Sequence, residues 1–209
     1  PGVNAYDKVD SETDEILSYD FEDGLSDKSA NEYDAENGKN AEVKDGELVL
    51  KGGESYISTP LDKVGPEKEL SFDITLTQPA EPGQILFEAE KDEDHEAYST
   101  HNIRIMEDGT LGFTREGYDY SFGYKLPVNQ KMTLKIRTKN GSTVLIADGK
   151  EYKATGSFTY EGDVKKTGIT SSTLSLPLTR IGSDTNAVHA IIDNVNLSST
   201  MSDGESSPI

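Results

Sequence analysis

The chain has no cysteine and no tryptophan among its 209 residues. The first absence excludes disulfides, thiolate metal sites and cysteine nucleophiles. It leaves the compartment open, because secreted bacterial proteins commonly lack cysteine too. The second absence removes the side chain best suited to stacking on a sugar ring. Long apolar runs are also missing, and no stretch approaches the ~20 residues that span a bilayer. Cations are scarce: 20 Lys and Arg stand against 39 Asp and Glu, a formal net charge of -19. A surface of that sign repels phosphate backbones and anionic lipid headgroups, so neither a nucleic-acid partner nor membrane insertion is expected. The surplus carboxylates serve either solubility or the binding of a divalent cation.

Helical periodicity is almost absent as well. Short runs alternate apolar and polar residues, the period of strands with one buried face. Predicted strands cover 16–22, 47–51, 55–59, 69–77, 84–90, 102–106, 111–115, 118–126, 132–139, 143–147, 178–182 and 189–197. Between them stand Asp45-Gly46, Asp108-Gly109, Asn140-Gly141 and Asp148-Gly149, dipeptides that tolerate the positive φ of tight hairpins. In the hairpin around Asn140-Gly141, Leu134 and Ile136 are expected to point inward, followed by Val144 and Ile146. A short turn near 61–64 is the one helical expectation. Some dozen antiparallel strands without helices predict an all-β sandwich of jelly-roll type. No fixed-period repeat is visible, which excludes propellers and solenoids. The ends, 1–14 and 199–209, are polar and aperiodic and read as linkers around a body at 15–198. The chain opens on Pro1 without a signal peptide and reads as a fragment whose targeting signal lies elsewhere.

Two stretches carry a family likeness. LSYDFEDGLSDKSANEYDA resembles the first strand and loop of laminin-G-like domains, and AIIDNVNLS resembles their last strand. Their order suits a fold whose first and last strands lie side by side. Between them, GTLGFTREGYDYSFGYKLP and LPLTRIGSDTNAVHAIIDNV are similar to a laminin-G-like module of secreted bacterial family 20 glycoside hydrolases, which are β-N-acetylhexosaminidases and lacto-N-biosidases. The resemblance spans 16–198 and implies a concanavalin A-like sandwich from a secreted or cell-surface protein. It further implies two partners, a glycan and the catalytic domain of the same polypeptide. No part of the chain resembles the catalytic barrel of that family. The expected role is a non-catalytic, carbohydrate-binding accessory module; the alternative is a purely structural module packed on the catalytic domain.

Four groups of residues could carry chemistry. In Tyr118, Tyr120, Phe122, Tyr124 and Leu126 the apolar residues occupy every second position of one strand. Such a stripe is either a core face or a platform for pyranose rings. With Arg115, Glu116 and Asp119 around the turn at Gly117, the candidate ligand residues are Arg115, Glu116, Tyr118, Asp119, Tyr120 and Tyr124. The second group is Asp193, which alternation places on the apolar face with Val195 and Leu197. A carboxylate there must be bonded, paired or metal-bound. With Asp20 and Glu22 of the first strand it forms a candidate structural Ca2+ site, a feature the resemblance also implies; otherwise Asp193 caps loop amides. The third group, KDEDHE at 91–96 with His95 and later His101, reads as a solvated acidic loop rather than a transition-metal site. The fourth is FEAEKD, where Glu88, Glu90 and Asp92 alternate on one strand face. That is the parity of a glycoside hydrolase acid/nucleophile pair and makes a sandwich hydrolase using Glu88 and Glu90 the second alternative. The surrounding pattern departs from such enzymes, and no Gly-x-Ser-x-Gly elbow is present. The chain alone is therefore expected not to be an enzyme.

Overall fold

The computed structural model of the chain describes residues 14–94, 100–156, 159–166 and 172–200. The expected linkers lie outside the described residues except at Asp14, Ser199 and Thr200, and His95 lies outside them as well. The strands are β1 (Glu15–Tyr19), β2 (Glu36–Lys39), β3 (Ala41–Lys44), β4 (Glu47–Ser58), β5 (Lys63–Val64), β6 (Lys68–Leu76), β7 (Ile85–Glu88), β8 (His101–Ile105) and β9 (Leu111–Arg115). There follow β10 (Tyr118–Tyr124), β11 (Met132–Lys139), β12 (Ser142–Ala147), β13 (Lys150–Lys153), β14 (Thr155–Gly156), β15 (Thr159–Glu161), β16 (Val164–Lys166), β17 (Leu176–Pro177) and β18 (Arg180–Ser199). No helix occurs among the described residues, and the strand pairs are antiparallel. The fold is an all-β sandwich.

The last strand joins the two layers. The Arg180–Ala187 half of β18 pairs with β7, from which β8, β9, β10 and β14 continue. Its Ala190–Ser199 half pairs with β6, from which β11, β12 and β13 continue. On its other edge β18 pairs with β4 along both halves, and β1 adds to its end through Tyr19 opposite Val195. First and last strands therefore do lie side by side. The layers meet through an edge-on contact of Phe72 with Phe87 at 5.0 Å. At the far side Tyr124 of β10 packs on Tyr152 of β13 at 5.3 Å, which draws the sandwich toward a barrel.

Local chemistry explains the connections. Asp45-Gly46, Glu116-Gly117 and Asp148-Gly149 each carry positive φ at both residues and separate directly paired neighbours, the geometry of type I′ hairpins. The DKSAN stretch of the first loop is a clasp around Asp27. Its Oδ1 accepts the Ser18 and Ser29 amides, while its Oδ2 accepts the Tyr33 amide and the Ser29 hydroxyl. These bonds satisfy a buried carboxylate and tie the loop to β1.

Several expectations change. The 61–64 segment is not helical; Lys63–Val64 pairs with Leu176–Pro177. The predicted strands at 47–51 and 55–59 are one strand, β4, running through Gly52 and Gly53 with positive φ. Those at 178–182 and 189–197 are both parts of β18, whose register shifts between Ser183 and Ala187. In β12 the inward residues are Leu145 and Ala147 rather than Val144 and Ile146, because the turn sets Ile136 opposite Leu145 and Leu134 opposite Ala147. Strands β2 and β3 are polar and mostly exposed and give no apolar signal.

Gly182 shows how tightly β18 is held. It has φ +96, and a Cβ there would lie 2.2 Å from the Ser55 carbonyl oxygen. Gly182→Ala is expected to lower unfolding free energy by about 1–3 kcal/mol, the cost of one strained backbone position. Urea denaturation checks this, and an unchanged midpoint would show that β4 and β18 separate easily.

Candidate functional site

The outward face of the β7–β10 layer is polar but not fully exposed. Successive registers place Ser58, Arg180, Glu88, Asn102, Thr114 and Asp119 in one row across β4, β18, β7, β8, β9 and β10. Side chains one residue along point the other way and build the core: Ile103, Phe113 and Tyr120. The alternation is that of an ordinary half-buried sheet, yet the outer row is closely organised.

One end of the row centres on Glu88. Its carboxylate accepts the Arg180 Nε–H at 2.5 Å, the Ser183 hydroxyl at 2.8 Å and the Asp184 amide at 2.8 Å. The Ser183 oxygen in turn accepts the amides of Thr185 and Asn186, so Glu88 fixes the irregular stretch of β18. Arg180 reaches Glu90 at 2.7 Å and Asp184 at 3.6 Å, and its guanidinium lies 5.7 Å from the Tyr56 ring centre. Glu88 and Glu90 thus share one guanidinium. Burial pushes the Glu88 carboxyl above the ordinary glutamate range, while the Asp184 amide, Arg180 and Ser183 pull it down. Beside this group lies a concavity of ≈ 200 Å³ lined by Glu88, Glu90, His101, Asn102, Arg180 and Asp184, among others.

The other end centres on Asp119, which accepts the Thr114 hydroxyl at 2.7 Å and an Arg104 Nη2–H at 3.1 Å. A second concavity, ≈ 190 Å³, is lined by Met106, Glu107, Asp108, Asp119, Tyr120 and Ser121. Hydrogen bonds from Thr110 hold the Asp108 carboxyl below the usual range. Between the two concavities, Asn102 and Arg104 stand two residues apart on β8. The Asn102 Oδ1 acceptor and the Arg104 Nε donor are buried and have no hydrogen-bond partner among the described residues. Unmet polar atoms of this kind are costly unless something binds them.

The ligand residues expected from sequence separate in space. Arg115, Glu116 and Tyr118 gather at the β9–β10 hairpin, where Arg115 and Glu116 pair at 3.7 Å and Tyr118 is 43% exposed. Tyr120 stacks on Phe113 at 5.0 Å, and Phe122 packs on the same ring, so this part of the stripe is core. Tyr124 is half-buried against Tyr152. Of the six, Asp119 alone belongs to the outer row. Sequence reading missed Asn102, Arg104 and Arg180, although two arginines alternating with core residues in so acidic a chain are a usable signal.

Among the metal candidates, Asp20 accepts the Glu22 amide at 3.0 Å, and the Glu22 carboxylate lies against Gly46. Asp193 is not on the face of Val195 and Leu197. A register shift between Asp193 and Asn196, with Asn194 at φ 48, turns it outward opposite Asp73. Asp193 accepts the Asn194 amide at 2.8 Å. Burial raises its carboxyl above the ordinary aspartate range; Asp73 and Asp20 add to this, while the Asn194 amide and Lys131 oppose it. No group of three His, Asp or Glu side chains is arranged to hold a metal ion among the described residues. Asp20, Glu22 and Asp193 therefore do not by themselves form an ion cage.

No protein-family model matches the chain, and no curated protein matches it. Solved structures do share its fold. Domain 4 of AbnA, a GH43 extracellular arabinanase from Geobacillus stearothermophilus solved with arabinotriose, is 21% identical over 88% of this chain and 92% of its own, with a TM-score of 0.60. The sialidase of Trypanosoma rangeli, solved with sialic acid, is 14% identical over 87% of this chain and 30% of its own, with a TM-score of 0.54. The cellulose induced protein Cip1 is 13% identical over 88% and 97%, with a TM-score of 0.51. At these identities the likeness is one of fold. The chain shares its β-sandwich with an arabinanase domain and a sialidase.

Two substitutions test the electrostatics. Arg180→Ala leaves Glu88 buried beside no cation and is expected to cost about 3–5 kcal/mol in urea denaturation; a loss under ~1 kcal/mol would mean the pair is solvated. Asp193→Asn, which removes a disfavoured charge, is expected to raise the melting temperature in EDTA at neutral pH. A Ca2+-induced rise in the parent but not in this variant would instead mark Asp193 as a ligand.

Proposed function

We propose that the chain is a non-catalytic carbohydrate-binding module of a secreted glycan-degrading enzyme, and that its site is the outer face of the β7–β10 layer. One observation carries the proposal: the buried Asn102 Oδ1 and Arg104 Nε, an acceptor and a donor on one strand that have no hydrogen-bond partner among the described residues. A sugar hydroxyl both donates and accepts, so one class of ligand satisfies both atoms once a small rotation brings the two side chains to the surface. The sandwich shared with an arabinanase domain solved with arabinotriose supports the reading. The non-catalytic half rests on Glu88 and Glu90. Both carboxylates bind the same guanidinium, and an acid/nucleophile pair requires an acid and a free carboxylate facing each other across the scissile bond.

The parent enzyme suggested by the laminin-G-like motifs is a bacterial family 20 glycoside hydrolase. A module of this kind would hold glycan beside the catalytic domain and raise its effective concentration there.

The test is a glycan array probed with the chain, with and without EDTA. Binding to neutral glycans is expected, including arabinose-, galactose- or N-acetylglucosamine-containing ones, with an about tenfold loss for Asn102→Ala, the effect of one buried hydrogen bond. Silence across the array would favour the purely structural module. Glycan cleavage lost on Glu88→Gln would favour the hydrolase.

A further inference from the structure

The outer face also has a length and a charge, and both bear on which glycan it accepts. The row from Arg180 to Asp119 crosses five strands. Four inter-strand spacings of ~4.8 Å give on the order of 19 Å, longer than one sugar ring. The two concavities sit toward opposite ends of that row. Asn102 lines the first, and Arg104 is tied to Asp119, which lines the second. A ligand that satisfies Asn102 Oδ1 and Arg104 Nε therefore touches the borders of both.

The charge is acidic at each end. Glu88, Glu90 and Asp184 line the first concavity and outnumber Lys91 and Arg180. Glu107, Asp108 and Asp119 line the second, with no Lys or Arg among its lining residues. Both arginines of this face are already bonded to carboxylates, Arg180 of the row to Glu88 and Glu90 and Arg104 beside it to Asp119. A carboxylated sugar entering this face meets like charge in a chain of net charge -19, and each guanidinium it meets is already neutralised by a carboxylate.

Resting on the carbohydrate-binding reading above, we infer that the site takes an internal segment of a neutral oligosaccharide laid across β18 to β10, and discriminates against uronate- or sialate-bearing glycans. The distinction is one of electrostatics and reach. Neutral hydroxyls meet the unmet donor and acceptor without facing the carboxylates as charges. A chain of several rings engages both concavities at once, whereas a single ring engages one.

Isothermal titration of the whole chain with neutral linear arabino-oligosaccharides and N-acetylglucosamine oligomers, each from one to four units, tests this without any substitution. Affinity is expected to rise by about tenfold or more between one unit and four in the series that binds. A uronate-bearing oligosaccharide of matched length is expected to bind at least about tenfold more weakly at low salt, and raising salt narrows that gap as screening removes the repulsion. Asp119→Asn tests the second concavity. It is expected to cut the gain in affinity between one unit and four at least about threefold, with its thermal melt confirming the fold. Equal affinity at all lengths would overturn the inference, as would equal or tighter binding of the uronate-bearing sugar, while leaving carbohydrate binding intact. Failure of every glycan in an array to bind would overturn both.

Discussion

The Glu88 carboxylate is the point on which the architecture and the candidate site both turn. It is buried and acidic, so it must be satisfied where it stands. It is satisfied by Arg180, the Ser183 hydroxyl and the Asp184 amide, all in the half of β18 that faces β7. Those same contacts fix the stretch where β18 shifts register and passes from one layer to the other. Because β18 carries pairing for β4, β6, β7 and β1, its placement sets both layers. The bonds that order the strand thus also fix a guanidinium and two carboxylates on the outer surface.

That coupling explains how a sheet face of ordinary alternation becomes chemically specific. Strand pairing alone places Glu88, Asn102, Thr114 and Asp119 in a line. Ion pairs then set the side-chain directions at each end, and Asn102 Oδ1 and Arg104 Nε have no hydrogen-bond partner among the described residues. A pre-ordered surface loses little rotamer freedom on binding, which favours recognition of flexible, hydroxyl-rich ligands. The aromatic residues of β10 serve this arrangement from beneath, since Tyr120 and Phe122 pack on Phe113 and hold the strand that presents Asp119.

The sequence made much of the fold legible and little of the site. Period-two alternation in β6, β8 and β11, with Asp-Gly turns between strands, is enough to specify a sandwich, because both signals are local. Strands β2 and β3 escaped because they bind β4 through backbone groups while their side chains stay mostly in solvent. Alternation puts Asp193 on the wrong face because one register shift inverts it, and nothing in IIDNVNL announces the shift. The stripe at 118–126 is core at Tyr120 and Phe122, leaves Tyr118 exposed and runs past the end of β10 at Tyr124, while Asp119 lies on the strand's reverse. Asp119, Arg104 and Asn102 look like solvent-facing spacers until strand register brings them together.

Glycan binding on the outer face of the β7–β10 layer is a statement about location. Amide chemical-shift mapping of the chain during titration with a neutral oligosaccharide tests it most directly, because it reports location independently of affinity. Saturable shifts are expected at Glu88, Asn102, Arg104 and Asp119, together with the Asn102 side-chain amide. Shifts confined to the hairpin at Arg115, Glu116 and Tyr118, or to the opposite layer around Asp73 and Asp193, would contradict it.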